Sequence, residues 1–536
     1  MSEKPSVLSP SLSLKRRLTK PATRSAGGIV VSQCRIASEI GARVLCEGGH
    51  AVDAAVATAF AIGVVEPWMS GIGGIGAMLV RDAKSGAVTG FDFGAVSPMA
   101  LNPADYPVVG GTDANLFGWP VVKDNRNTTG AYAMVTPTQP AGLAAAHKKY
   151  GTKRWADLLQ PAIKLAVDGP VADWFTVLMI ANAVGDLRRD PGAAARFLRN
   201  GAPPSLPVAI NPDSVVRMPA PQLALSLRAI AADGAAAMST GALARAIAED
   251  VRAMGGGLSA DDLAAPRVKE VASLVIPHGA QSIHVLPELN GGPTLAAAFG
   301  ELARLRPTPA ASLSGNGGGA TFVAYGRALQ HAWADRFTRL GDAGERGAPT
   351  CTTHISVVDR AGNMVTLTQT LLSLFGSRVV LPQTGILMNN GINWFDPVPG
   401  RPNSIGPGKR ALANYAPAIL TGSGQAMAIG GSGGRKIIPA VFQALAMAVD
   451  FGLDLDAIVH QPRIDVSGEA SVGVDRRLDR ATLAALDAAF DTVLAEPVAY
   501  PFPFTVLSGV RRVGDQNEGA TEPEHPWSEA VAEDDV

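Results

Sequence analysis

The 536-residue sequence contains few cysteines and none of the patterns in which cysteine binds zinc or builds a disulfide framework. Its three cysteines, Cys34, Cys46 and Cys351, are dispersed, and no CxxC pair is present. The metalloprotease pattern HExxH is also missing. These absences predict a protein that uses neither a metal ion nor another cofactor and that works in a reducing, cytoplasmic setting.

Charged residues are scarce and nearly balanced. They make up 17% of the sequence, against roughly 25% in an ordinary soluble domain, and the formal net charge is -1. This balance argues against nucleic acid or an anionic membrane surface as a partner. The longest apolar stretch, residues 54–65, is too short to span a bilayer, and no apolar secretion signal follows the basic N-terminal residues. A small molecule is the expected partner.

What the sequence does contain favours a large globular core, because apolar residues reach 47% and glycine occurs 59 times. Residues 1–26 and the acidic segment from about 514 to 536 hold little that could pack, so both are predicted to be mobile tails. Helical patterns dominate residues 155–270, whereas period-two strand patterns follow Thr352. The sequence therefore predicts a mixed α/β (α+β) protein.

One glycine motif is typical of dinucleotide binding. Gly71, Gly73 and Gly76 spell G-x-G-x-x-G, and Asp92 follows at about the distance at which an acid binds the ribose. That motif must follow a strand and open a helix, so that the helix N-terminus meets the pyrophosphate. Here it follows a helical pattern and precedes a strand pattern, which indicates close glycine packing instead.

A second motif is typical of serine hydrolases. GGSGG at 430–434 places Ser432 between a strand pattern and a helix pattern, which is the context of a nucleophile elbow. A catalytic triad would also need an acid and a histidine further along the chain, and His460 is available. The acids near that histidine are Asp450, Asp454 and Asp456.

A third hypothesis starts from a predicted β-hairpin that places two threonines opposite each other. The sequence DRAGN, residues 359–363, is a five-residue turn between two alternating strand patterns, and it pairs Val358 with Met364. Counting outward from the turn, the same register sets Thr352 opposite Thr370. Two threonines opposed on one face of a sheet can hydrogen-bond through their hydroxyls, so Thr370 is a candidate partner for the Thr352 hydroxyl.

Such a threonine can become a nucleophile if the chain is cut directly before it. A terminal α-amine has a pKa of roughly 7.7 to 8.0 and can take the proton of the neighbouring hydroxyl. The Thr352 hydroxyl can generate this amine by attacking the Cys351 carbonyl. In this reading the backbone N–H groups of Gly433 and Gly434, at a helix start, form an oxyanion hole.

Between about Gly27 and Arg512 the sequence resembles the gamma-glutamyltransferase family of N-terminal-nucleophile hydrolases, which also contains cephalosporin-acylase-like members. Several segments carry the resemblance, in the order expected for the family. They are EGGHAVDAAVA, SGIGGIGAMLV, GLSADDLAA, ADR with GD, TTHISVVD, GILMNNG, GGSGG and HQPRIDV.

The resemblance implies a four-layer αββα sandwich and autocatalytic cleavage into two fragments that stay associated. The large fragment would comprise residues 27–351 after the N-terminal tail, and the small fragment residues 352–536. It also implies Thr352 as nucleophile, Thr370 as its partner, and Gly433 with Gly434 as the oxyanion hole.

Two charged groups that hold a gamma-glutamyl donor in this family are missing. The arginine expected after Asp92 and Phe93 is replaced by Gly94. The acid that holds the donor ammonium belongs to an N-N-[QE]-x-D-D-F stretch, whose two acid positions are Asn393 and Trp394 here. A donor bound without its counter-charges would lose roughly 2 to 5 kcal/mol. We therefore expect an acyl group with at most one negative charge, which Arg378 could reach.

The expected substrate-binding residues are Arg378, Trp394, Asn390 and Asn414. The segment between Phe395 and Lys409 is short, which predicts an open site and favours hydrolysis over transfer to an amine. Three alternatives stay open: a true gamma-glutamyltransferase or glutathione hydrolase, a serine hydrolase using Ser432, and an inactive relative that only binds.

Overall fold

The computed structural model describes residues 18–112, 118–207, 215–265, 267–305, 313–340 and 351–536. Within these ranges the helices are α1 Arg35–Cys46, α2 Ala51–Val65, α3 Gln139–Tyr150, α4 Trp155–Asp168, α5 Trp174–Leu187, α6 Pro191–Phe197, α7 Pro221–Asp233, α8 Ala236–Ser239, α9 Ala242–Ala253, α10 Ala260–Ala264, α11 Gly292–Leu305, α12 Gly315–Asp335, α13 Ile437–Asp450, α14 Leu455–His460 and α15 Arg480–Ala489. The strands are β1 Thr23–Ser25, β2 Ile29–Ser32, β3 Ile75–Arg81, β4 Val88–Phe93, β5 Val108–Thr112, β6 Pro120–Val122, β7 Lys269–Ala272, β8 Leu274–His278, β9 Gln281–Val285, β10 Cys351–Val358, β11 Met364–Leu372, β12 Ala418–Gly422, β13 Gln425–Ser432, β14 Ile464–Asp465, β15 Val472–Asp475, β16 Thr492–Ala495, β17 Val506–Val513, β18 Gln516–Thr521 and β19 Glu529–Ala532.

Two seven-stranded sheets form the centre of the molecule. The strand order is β1-β18-β17-β13-β12-β9-β8 in the first sheet and β19-β2-β10-β11-β3-β4-β7 in the second. All neighbouring strands in both sheets run antiparallel. Strands from before and after residue 351 are neighbours in the second sheet, where β2 flanks β10 and β3 flanks β11. Both halves of the sequence therefore build both sheets.

Helix α2 covers the outer face of the second sheet. It starts with a reciprocal cap in which the His50 side chain accepts from the Val52 amide at 3.1 Å and the Asp53 carboxylate accepts from the His50 amide at 2.9 Å. Every residue of α2 except Gly63 is buried, as its uniformly apolar sequence predicts. It shares one apolar cluster with Leu367 of β11.

Helices on the opposite side cover the first sheet. Phe442 of α13 contacts Phe299 of α11 and Tyr325 of α12, with ring centroids 4.8 and 5.5 Å apart. These helices share a second apolar cluster with β12 and β13, and a third cluster fills part of the space between the sheets. The layers follow the order helix, sheet, sheet, helix, which confirms the predicted αββα sandwich.

The glycines around residue 73 serve close packing. A methyl group on Gly73 would lie 2.2 Å from the Leu387 carbonyl oxygen, and one on Gly76 would lie 2.4 Å from the Thr368 oxygen. The segment leads into strand β3 and not into a helix. The structure therefore agrees with rejecting the dinucleotide motif.

The prediction of mobile tails is wrong for the residues that the structure describes. Strand β1, inside the predicted 1–26 tail, pairs with β18, and residues 1–17 lie outside the described residues. The predicted C-terminal tail contains β18 and β19, and β19 is an edge strand of the second sheet. Its acidic residues are used in pairing, since Glu533 accepts from Arg360 at 2.9 Å.

Within the described ranges, no helix combines the length and the apolarity that crossing a membrane requires. The same ranges contain no group of three or more histidine, cysteine, aspartate or glutamate side chains placed to hold a metal ion.

Candidate active site

The β10–β11 hairpin has the turn that the sequence predicts. Val358 and Met364 are Cα partners, and the register continues without interruption to the pair Thr353 and Gln369. There it shifts, so that Cys351 pairs with Leu372 and the predicted direct pairing of Thr352 with Thr370 is not formed. The irregularity has a local cause, because Leu372 adopts a positive φ of 84°.

Both threonines lie at this irregularity. Thr352 is 6% exposed and Thr370 is 1% exposed. The Thr370 hydroxyl accepts a hydrogen bond of 2.7 Å from the Leu372 amide, which holds the end of β11 in its turn. The peptide bond before Thr352 therefore leads into a buried residue at the irregular point of the hairpin.

The glycine loop, residues 430–434, begins in the last residues of β13 and comes from the other sheet to meet Thr352. The Ser432 hydroxyl donates to the Thr352 carbonyl oxygen. Gly433 and Gly434 follow with φ of 145° and 64°, which side chains other than hydrogen rarely tolerate. They precede the first turn of α13, where backbone N–H groups have no partner within the helix. The two glycines thus directly follow the serine that contacts the Thr352 backbone.

A buried histidine joins the hairpin to this loop. The His354 ring nitrogens hydrogen-bond to the hydroxyls of Thr368 at 2.9 Å and of Ser356 and Thr366 at 3.1 Å. A methyl group on Gly430 would lie 2.2 Å from His354 Cε1, so the imidazole is packed directly against the glycine loop. Burial lowers the pKa of His354 to about 3. The side chain is therefore a neutral bridge between the sheets.

We expect the contribution of His354 to stability to depend on pH. Its pKa is lower in the folded protein than the ordinary value of 6.5, so the unfolded chain binds the proton more tightly. This contribution is complete above pH 6.5 and is lost as the pH falls toward 3. In urea unfolding at pH 7, 5.5 and 4.5, His354→Asn should be less stable than wild type at pH 7, and the difference should shrink on acidification.

Burial also lowers the pKa of His525 to about 3. Because His525 is present in both wild type and His354→Asn, its contribution cancels when the two stabilities are subtracted. His331→Asn, at an exposed position of α12, is the matched control and should follow wild type at every pH. A stability difference for His354→Asn that stays constant from pH 7 to 4.5 would contradict the expectation.

The structure does not assemble a serine triad around Ser432. His460 Nδ1 contacts the Asp456 carbonyl oxygen at 2.7 Å, and its Nε2 accepts from the Lys20 amide at 3.2 Å. Asp450 pairs with His278 at 2.7 Å. Ser432 is also absent from the described residues with positive φ, whereas a nucleophile elbow strains its serine. Its hydroxyl instead orients Thr352.

Two predicted substrate residues lie in one network beside the end of β11. Asn390 Nδ2 donates to the Ser373 hydroxyl at 2.8 Å and to the Thr128 carbonyl at 2.9 Å. Arg378 donates to the same Thr128 carbonyl at 2.8 Å and approaches Asp186 at 3.6 Å. These contacts hold the Arg378 guanidinium in the wall formed by residues 373–390.

Two aromatic side chains lie near the positions at which the resemblance led us to expect charged substrate-binding groups. Trp394 and Tyr415 pack edge to face, with centroids 6.4 Å apart and an interplanar angle of 88°. A methyl group on Gly94 would lie 2.3 Å from the Tyr415 hydroxyl, so this tyrosine fills the space in which a larger residue 94 would project. Asp92 is engaged by Arg410 at 3.3 Å. Tyr415 was not predicted, since only the packing shows that it blocks position 94.

The last predicted substrate residue, Asn414, is held by an arginine that the sequence reasoning did not assign. The Asn414 side-chain oxygen accepts from Arg336 at 2.8 Å, and Arg336 also donates to the Ala413 carbonyl at 2.7 Å and the Asn290 carbonyl at 2.9 Å. Arg336 is 1% exposed. The ADR segment was the available signal, although nothing in the sequence pointed to its partner.

Comparison with known proteins gives consistent matches along the chain. The family profile described as gamma-glutamyltranspeptidase matches residues 37–351 and 344–532. The acylase ACY 1 proenzyme of Pseudomonas sp. strain SE83 is 33% identical over 481 residues, 84% of each chain. The glutathione hydrolase proenzyme of Pseudomonas sp. strain A14 is 31% identical over 486 residues, 81% of each chain. The structure of cephalosporin acylase from Bacillus halodurans shares the fold, with a TM-score of 0.82, 23% identity and coverage of 98% of this chain and 99% of that one.

Proposed function

The chain belongs to the gamma-glutamyltranspeptidase family, and we propose that it is an autoprocessing amidohydrolase whose nucleophile is Thr352. One observation carries the proposal: the Thr352 carbonyl accepts a hydrogen bond from Ser432 of the glycine loop, at the point where the hairpin register shifts. The relatives named proenzymes support processing of this chain as well. Fragments 27–351 and 352–536 would be the products.

The processing step needs only groups of the chain and one water molecule. The Thr352 hydroxyl oxygen attacks the Cys351 carbonyl carbon, and the bond from that carbon to the Thr352 nitrogen breaks. This converts the amide into an ester and leaves the nitrogen as an amine. Water then hydrolyses the ester, which releases a carboxylate on Cys351 and restores the hydroxyl.

The same hydroxyl then serves in catalysis. The new α-amine takes its proton and the oxygen attacks the substrate carbonyl. The resulting ammonium returns the proton to the leaving nitrogen, so that the amine product departs and an acyl-enzyme forms. Water then hydrolyses this ester, which releases the acid and restores the Thr352 hydroxyl. Negative charge develops on the carbonyl oxygen, where the amides of Gly433 and Gly434 would stabilise it. The Thr370 hydroxyl, held at the end of β11 by the hydrogen bond from the Leu372 amide, would position the nucleophile.

The substrate is an amide whose acyl group carries at most one negative charge. The Trp394 and Tyr415 pair offers an apolar wall, and Tyr415 leaves no room for a cationic side chain at position 94. Arg378, Asn390 and Asn414 are the polar groups that we assign to the remaining pocket wall. The acylase name of one relative fits this assignment better than the glutathione hydrolase names of others.

Acyl selectivity should follow from the missing ammonium partner. Glutaryl-p-nitroanilide differs from γ-glutamyl-p-nitroanilide only by the α-ammonium, which would be desolvated here without a counter-charge at a cost of about 2 kcal/mol or more. We expect kcat/KM to be about 30-fold or more higher for the glutaryl substrate. A strong preference for the γ-glutamyl substrate would establish the alternative, a true gamma-glutamyltransferase or glutathione hydrolase.

Hydrolysis should dominate over transfer, because the loop beside the pocket is short and bound to itself. Lys409 Nζ donates to the Pro402 carbonyl at 3.0 Å, and Asn403 donates to the Trp394 carbonyl at 2.6 Å. Arg401 pairs with Asp396 at 2.7 Å. These contacts support an open site in which water reaches the acyl-enzyme freely.

Added glycylglycine should therefore leave the release of p-nitroaniline unchanged. Product analysis by mass spectrometry should show the free acid and no acyl-dipeptide. A rate that rises several-fold with glycylglycine, together with an acyl-dipeptide product, would mean that the enzyme is a transpeptidase.

A further inference from the structure

A cleft opens at the end of the sandwich opposite to Thr352, where hairpins of both sheets turn. It encloses about 340 Å³, a volume typical of a small-molecule site. Its lining includes Arg81, Arg512 and the turn glycines Gly362, Gly422, Gly424 and Gly514. Along β11 the distance from this end to Thr370 is about 25 Å, at about 3.3 Å per residue, so the cleft is separate from the proposed active site.

Two guanidinium groups reach this cleft from different sheets. Arg81, the last residue of β3, donates to the Gly362 carbonyl at 3.1 Å. Arg512, on β17, packs on the same glycine, since a methyl group there would lie 3.0 Å from its Cδ and Nε atoms. The Arg81 Nε is buried and has no hydrogen-bond partner among the described residues. An anion in the cleft would meet the terminal nitrogens of the guanidinium groups, because the Arg81 Nε atom is itself buried.

The acids nearby compensate these charges only in part. The Asp82 carboxylate accepts from the amide and the hydroxyl of Ser85, at 2.6 and 2.8 Å, and so is bound within its own turn. Asp515 pairs with Arg512 at 3.2 Å but its side chain is 98% exposed, where an ion pair is weak. The other contact of Arg512 is neutral, the Asn517 oxygen at 3.0 Å.

The like charges in the cleft act on each other. Burial lowers the pKa of Arg81, the Asp82 carboxylate raises it, and the charge of Arg512 lowers it again by a smaller amount. The charge of Arg81 in turn helps to lower the pKa of His284, on β9 of the first sheet. The Asp82 carboxylate offsets part of the repulsion between these cations, and an anion in the cleft would offset more of it.

We propose that this cleft binds a small phosphate-bearing anion, held by Arg81 from one sheet and Arg512 from the other. Phosphate oxygens match the planar donors of guanidinium groups, which bind them in bidentate fashion. The turn glycines leave the backbone bare on the cleft wall, so the anion can approach closely. Bound there, it links the two sheets at the end far from the nucleophile. It should therefore change thermal stability and leave turnover unaffected.

Calorimetric melting of the purified protein with sodium pyrophosphate, against sodium chloride of equal ionic strength, tests the proposal. We expect pyrophosphate at about 100 times its Kd to raise the Tm of wild type by about 2 to 4 °C. Arg81→Gln and Arg512→Gln should lose this shift while retaining wild-type kcat. Lys84→Gln removes the same charge from an exposed position of the adjacent turn and should keep the shift.

The Tm without added anion separates binding from a structural role. Removing one of two repelling cations should leave the Tm of Arg512→Gln equal to or above that of wild type. A lower Tm for both arginine variants would mean that the arginines only brace the turns. Equal shifts in all four proteins, an equal shift with citrate, or no heat of pyrophosphate binding to wild type in titration calorimetry would each overturn the proposal.

Discussion

Thr352→Ala should give a single uncleaved chain with no amidase activity. The variant retains the fold, because the Thr352 contact to the glycine loop is made by its backbone carbonyl. It lacks the hydroxyl that attacks the Cys351 carbonyl, so neither the ester nor the terminal amine can form. On a denaturing gel, wild type should show two bands at roughly two thirds and one third of the mass, and the variant one band.

The adjacent threonine provides a matched control. Thr353 is fully buried, and its hydroxyl has no hydrogen-bond partner among the described residues. Thr353→Val keeps the shape and should preserve both the cleavage and the rate. Mass spectrometry of wild type should find a fragment beginning TTHIS. An intact wild-type chain that hydrolyses amides, or cleavage that persists in Thr352→Ala, would show that the nucleophile is assigned wrongly.

Gly434→Ala should lower kcat by about 100-fold or more, the usual effect of losing one oxyanion donor. Gly434 has a φ of 64°, where a side chain costs roughly 1 kcal/mol. The backbone can relieve this strain by rotating, and rotation turns the Gly434 amide away from the position of the oxyanion. The measurement is kcat for the glutaryl substrate, with a gel to determine how much of the variant is processed.

Gly452 supplies the control because it follows the other end of α13 with the same φ of 64° and has open space around it. Gly452→Ala carries the same local strain, so it should lose a little stability and keep kcat. If Gly434→Ala kept kcat within about threefold of Gly452→Ala, the amide of Gly434 would have no part in the oxyanion hole.

Local sequence signals predicted the parts of the fold that are determined by near neighbours. The DRAGN turn requires a hairpin, and the hairpin sets the register from Val358 to Thr353. The unbroken apolar run of α2 indicates burial on all sides. The position of the GGSGG loop between β13 and α13 was likewise visible from the change of period along the sequence.

Features that depend on distant partners were missed or predicted wrongly. The register shift at Thr352 arises where β11 ends in a positive-φ residue, which a leucine in the sequence does not signal. The tails were predicted to be mobile because the first is rich in serine, proline and basic residues and the second is acidic, yet β1 and β18 pair with each other. Tyr415 meets Gly94 only through the fold, since more than 300 residues separate them in the sequence.

The interleaving of strands in both sheets determines what would become of the molecule if the bond before Thr352 were cut. Strand β10, which would carry the new chain end, is hydrogen-bonded to β2, and β11 is hydrogen-bonded to β3. The two fragments would therefore share a sheet and have no separable interface. Pulling the two apart means breaking main-chain ladders in the middle of a sheet, which is denaturation. The nicked protein should melt as one unit, and fragments expressed separately should regain activity only when they fold together.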